Sequence, residues 1–152
     1  MCFVRLPMAD DAFTVLPLFP EPRVAAVPSS HPLAGSPAID VKQVSGLSLL
    51  QDPDEVPEWH GAVAVPPPSP ASDRQRRPTI EESLERVALG TGVFVLPAGL
   101  ADFYRRDDIS YVPLQDVAAR MVALAYHKHR TMPELGQFAD LVTTMLTSVT
   151  LE

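Results

Sequence analysis

Thr79-Ile80-Glu81-Glu82-Ser83-Leu84-Glu85-Arg86-Val87-Ala88-Leu89-Gly90-Thr91-Gly92-Val93-Phe94-Val95-Leu96-Pro97 carries the best-marked local pattern in the chain. Thr79 with Glu82 makes a capping box, in which hydroxyl and carboxylate each satisfy a backbone N–H at a helix start. Leu84, Val87 and Ala88 then share one helical face, and Gly90 stops the helix. Gly92 to Pro97 follows at once as a continuous apolar run of the kind a strand buried on both faces needs. A marked helix running straight into a buried strand predicts an α/β layer.

The pattern extends in both directions from this core. Downstream, Ile109 to Val112 and Arg120 to His127 read as strands, the first after a short Leu100 to Tyr104 segment. Thr131-Met132-Pro133-Glu134 opens a terminal helix with a second capping box. Its stripe of Leu135, Phe138, Leu141, Val142 and Met145 belongs either to the core or to a partner-facing surface. Upstream, Cys2 to Leu6 reads as a strand closed by Pro7, Phe13 to Leu16 as one that stops at Pro17, and Arg23 to Val27 as a third. The turn-rich Pro28 to Pro32 follows, then a short helix from Asp40 to Ser45-Gly46, then a buried strand over Leu47 to Gln51. From Asp52 to Pro78 the prolines oppose regular structure, and residues 66–77 read as an exposed loop.

A chain of 152 residues, 46% of them hydrophobic, is long enough for one real core. Twelve Lys and Arg against 19 Asp and Glu give a net charge of -7, which repels phosphate backbones, so these residues are not expected to grip DNA. No stretch is long and apolar enough to span a bilayer, and Met1 to Asp10 lacks the features of a secretory signal, so a cytoplasmic setting is expected. The single cysteine, Cys2, fits a reducing compartment and has no local base to activate it.

Searching the chain for catalytic chemistry yields little. Gly90-Thr91-Gly92 has too few glycines and no lysine for a phosphate loop. His127 and His129 share a face if their segment is a strand, yet no further ligand accompanies them in sequence. Asp10-Asp11 and Asp52-Asp54-Glu55 lack the glycine of a calcium loop. Ser29, Ser30 and His31 are not set in a nucleophile elbow. Arg74, Arg76 and Arg77 sit in a Pro/Ser-rich segment and read as a solvated loop, and Trp59 either covers a pocket mouth or fills the core. The expected function is therefore binding, with no enzyme activity, metal or cofactor. Two features favour an anion: Thr79, at a helix N-terminus with its positive dipole end, and Arg5, whose guanidinium fork at a strand end suits a carboxylate. The plainer alternatives are that Thr79 only caps its helix and that Arg5 only pairs with Asp10 or Asp11.

The order of motifs resembles the regulatory domain of LysR-type transcriptional regulators. Phe3-Val4-Arg5-Leu6-Pro7, Leu18-Phe19-Pro20-Glu21 and His31-Pro32-Leu33-Ala34 resemble the middle of that domain. Thr79 to Pro97, Tyr111-Val112-Pro113-Leu114, Val122 to Tyr126, and Glu134-Leu135 with Phe138 are similar to its later half. The resemblance implies a type II periplasmic-binding-protein-like α/β fold, with two subdomains joined by crossing strands and a small effector in the cleft between them. It puts residues 1–22 and 117–152 in a first, incomplete subdomain and 23–116 in a second. It implies ligand contacts from Arg5, Leu6, Pro7, Thr79, Ile80, Phe94 and Pro97, and the anion-friendly features at Arg5 and Thr79, not the resemblance, suggest a small carboxylate as the effector. The family's winged helix-turn-helix would precede Phe3, so DNA contact is expected only through a segment that this chain lacks. Uncovered apolar faces then predict marginal stability, a homo-oligomer or pairing with an intact regulator. A solute-binding protein and an interaction module or truncated remnant are the competing readings.

Overall fold

Val24, Ala25, Ala26 and Val27 are four consecutive apolar residues, and all four are buried, because their strand is covered on both faces. The computed structural model describes residues 1–8, 11–62, 78–129 and 133–149. These form two units: Met1–Glu21 with Ala119–Glu152, and Pro22–Ala118.

The second unit is built on an antiparallel sheet with β3 (Arg23–Pro28) between β4 (Phe94–Pro97) and β5 (Ile109–Pro113). Alternation along β3 divides the core. Ala25 and Val27 face a cluster with Val95, Val112, Val41, Val44 and Trp59, while Val24 and Ala26 face Leu96, Ile109, Leu84, Val87 and Ala101. Helices α1 (Val41–Val44) and α2 (Pro57–Ala62) supply the first cluster; α3 (Ile80–Ala88) and α4 (Ala98–Phe103) supply the second.

Two local expectations are corrected in this unit. Leu47 to Gln51 is not a strand; Leu49 makes one parallel bridge to Val93, after which the Gln51 side chain replaces the ladder. Its Nε2 donates to the Val95 carbonyl at 3.0 Å, and its Oε1 accepts the Val95 N–H at 2.7 Å. The proline-rich region after Asp52 carries a 3-10 turn at Pro53–Glu55 and then α2, because Pro53 and Pro57 occupy first-turn positions where no N–H is needed. The short segment between β4 and β5, left unassigned by the sequence, is the helix α4, with Pro97 at its N-cap position. The loop at residues 66–77, with Arg74, Arg76 and Arg77, lies outside the described residues.

The first unit has the order β1-β6-β2, with β1 (Cys2–Arg5) and β2 (Phe13–Glu21) each antiparallel to the central β6 (Arg120–His127). Val122 to Ala125 are its buried centre. The expected stop at Pro17 is corrected: β2 runs on to Glu21, since an edge strand tolerates proline and the register resets between Pro17 and Phe19. Helix α5 (Pro133–Val149) packs on β2. Its stripe is not simply core: Phe138, Leu141 and Met145 are 37%, 56% and 60% exposed. Val142 is half-buried; the Leu135 side chain and the Thr131-Met132 start lie outside the described residues.

Two glycines carry the helix-to-strand junction. Gly90 adopts φ 71° and closes α3: its N–H donates to Val87, and that of Thr91 donates to Arg86. At Gly92 a Cβ would stand 2.2 Å from the Ser48 carbonyl oxygen. Gly92→Ala is therefore expected to cost on the order of 1–3 kcal/mol or more, lowering Tm by roughly 5 °C. Gly61→Ala, in α2 with open space around it, should cost nothing. Equal melting of both variants in a calorimeter would contradict the close approach.

Candidate functional site

Arg5 is the last residue of β1, and its side chain is 41% exposed. The fork is occupied: Nε donates to Glu21 Oε2 at 2.6 Å and Nη2 to Glu21 Oε1 at 3.1 Å. The expected local partner is corrected here, because the carboxylate that meets Arg5 is sixteen residues away and not Asp11; Asp10 lies outside the described residues. Glu21 is the last residue of β2 and its side chain is only 10% exposed. Arg120 stands opposite it in the β2–β6 register. Leu6 is tied at both backbone groups, its N–H donating to Met121 at 2.9 Å and its carbonyl accepting from Arg120 Nη1 at 3.3 Å. Pro7 follows and is exposed. Neither Glu21 nor Arg120 was picked out as a binding group in the sequence, since the register that aligns them is a long-range property.

Thr79, Ile80, Phe94 and Pro97 belong to the second unit. Thr79 caps α3 as its sequence predicts: Oγ1 accepts the Glu82 N–H at 3.2 Å, and the Thr79 N–H donates to Glu82 Oε2 at 2.9 Å. Glu81 adds a second carboxylate to the same turn. Hydrogen bonding to its own backbone N–H, then to the Tyr104 hydroxyl at 2.9 Å and to Thr79, holds its carboxyl below the usual range. The same contact pushes the Tyr104 phenol up. The positive end of α3 is thus already complemented by the chain's own acids. Ile80 and Phe94 both pack against the cluster around Leu84 and Leu96, and Pro97 pairs with Arg23 at the end of β4.

Other candidates have structural roles. His127 Nδ1 accepts the His129 N–H at 3.3 Å, so that lone pair is engaged within the chain. The ring also meets Phe13 edge-on at 5.6 Å. Among the described residues no group of three or more His, Cys, Asp or Glu could hold a metal. His31 accepts the Leu33 N–H, Asp52 caps the turn before α2, and Trp59 is core. Buried Arg23 donates from Nη1 to the Glu55 carbonyl at 2.9 Å, and Glu58 accepts the Ala118 N–H at 2.9 Å, so the segment around α2 fastens both ends of the second unit. Among the described residues no helix is long and apolar enough to cross a membrane.

The comparisons with known proteins agree with one another. Residues 1–147 match the model of the LysR substrate binding domain. The Hca operon transcriptional activator HcaR of Escherichia coli K12 is 25% identical over 97% of the chain and 51% of its own length. The chain thus spans about half the length of this curated relative. The reduced OxyR regulatory domain from Pseudomonas aeruginosa superposes with a TM-score of 0.68 at 24% identity, over 93% of this chain and 71% of that one. The BenM effector binding domain, solved with its effector benzoate, gives 0.66 at 21% identity, over 99% and 70%.

A lowered Glu81 pKa means that its contribution is complete above the unfolded carboxylate range and is lost as pH falls through the folded value. Tyr104→Phe should therefore melt below wild type at pH 7, with the gap closing as the pH is brought below the carboxylate range. A gap of constant size between pH 7 and pH 3 would rule out the Tyr104–Glu81 bond as its cause.

Proposed function

The chain belongs to the LysR substrate binding domain family, with its type II periplasmic-binding-protein-like α/β fold, and from that premise we propose that it senses a small-molecule effector. The match of residues 1–147 to a substrate-binding family carries this reading. The relatives are a transcriptional activator and regulatory domains, and the role proposed here is likewise regulatory rather than catalytic. Binding would favour one conformation of the chain over another, and that preference is the signal. A net charge of -7 disfavours a grip on phosphate backbones.

The proposed effector contacts are Arg5, Leu6, Pro7, Thr79, Ile80, Phe94 and Pro97. Arg5 supports a carboxylate-bearing effector, because it is the exposed member of its ion pair and its fork matches a planar anion. Thr79, engaged in its cap, is proposed to shape the site rather than to supply charge.

A second reading is favoured by one observation, the exposed Phe138, Leu141 and Met145 on α5. In it the helix face packs on another copy or on another regulator of the family, as exposed apolar patches favour. Leu141→Glu should then lower the sedimentation-derived mass of the chain, and an unchanged mass removes this reading.

The effector role is tested by thermal unfolding with a panel of small carboxylic acids. A ligand at a hundred times its Kd stabilises by about 2.7 kcal/mol, which raises Tm by roughly 5–10 °C in a domain of this size. Arg5→Ala should abolish the rise, measured from that variant's own baseline. Thr79→Ala should lower the baseline by about 1 kcal/mol through the lost cap and weaken the rise. A panel that moves no midpoint would overturn the carboxylate reading.

A further inference from the structure

We propose that Glu21 is an internal competitor for the effector: its carboxylate fills the Arg5 fork in the unliganded chain, and an anionic effector takes its place. The proposal rests on the reading of Arg5 as a ligand contact.

Three observations carry it. The two bonds from Nε and Nη2 to the two oxygens of Glu21 are the side-on pairing that a guanidinium offers any free carboxylate. Exposure is unequal, with Arg5 at 41% and Glu21 at 10%, so a dissolved anion reaches the cation from solvent while the native carboxylate is held from the protein side. Glu21 also has a second cation at hand. Residues directly opposite in an antiparallel pair project to the same face, and Arg120 is opposite Glu21. A carboxylate displaced from Arg5 therefore remains beside a guanidinium and is not left as an isolated buried charge, the state that makes breaking such pairs costly.

The location gives the exchange a route outward. Glu21 is the last residue of the first unit before the chain enters the second, and Arg120 lies one residue after the chain returns at Ala119. A carboxylate moving from Arg5 toward Arg120 thus acts next to both chain connections. Competition also sets sensitivity, because apparent affinity falls by the fraction of time that Arg5 is free.

The test follows the Arg5 Nε–Hε resonance of the full chain by NMR, assigned by its loss in Arg5→Lys, during titration with propionate and with uncharged propionamide at constant ionic strength. Propionate should move the resonance in wild type, propionamide should not, and the propionate midpoint should fall at least tenfold in Glu21→Gln. Should that variant not fold, Glu21→Asp, one methylene shorter and so a poorer fit to the fork, should give a midpoint below that of wild type. Arg120→Gln should raise the wild-type midpoint by removing the second cation. Equal propionate midpoints in wild type and the Glu21 variants, or no movement in any of them, would overturn the proposal. An effector that raises Tm while the Arg5 resonance stays fixed would keep the sensing role and remove Glu21 from it.

Discussion

Burial of one short strand on both faces is the constraint on which the second unit depends. Once Val24 to Val27 are to be covered above and below, two separate layers of helix are required, and the rest of residues 22–118 supplies them. Alanine at positions 25 and 26 lets those layers come close, and Val24 and Val27 fill what remains, each pointing to a different side. Gly92 belongs to the same constraint. The chain leaving α3 must pass against the Ser48 carbonyl to set Val93 and Val95 into one layer and Leu96 into the other, and a side chain there would block the passage.

The elements that were legible in the sequence are those whose signals are local. The capping box at Thr79 and Glu82, the αL stop at Gly90 and the apolar run to Pro97 each follow from a few adjacent residues, and the structure has them where the pattern puts them. Arg120–His127 was legible for the same reason. Proline was over-read as a breaker. Its effect depends on whether the missing N–H would have had a partner, which is an edge property at Pro17 and a first-turn property at Pro53 and Pro57. Leu47 to Gln51 looked like a strand because its composition is that of a strand, but a side chain took over its pairing after one bridge.

The candidate site was less legible than the fold, again for a physical reason. Arg5 declares itself by being a charge inside an apolar run, but its partner is fixed by strand register, so the nearby Asp11 was the obvious candidate and Glu21 was not. Membership of the family, by contrast, could be read from motif order, because order survives when individual residues drift.

The Gln51 amide has a consequence for how the chain behaves among copies of itself. A sheet edge with free N–H and C=O groups is a template on which a foreign strand can grow, and β4 is the edge of its sheet on that side. A primary amide carries one donor and one acceptor with nearly the spacing of a peptide group, so Gln51 satisfies Val95 while offering no continuing backbone for a further strand to copy. Where the backbone bridge between Leu49 and Val93 ends, the edge is finished by a side chain, whose two hydrogen bonds carry the protection on to Val95.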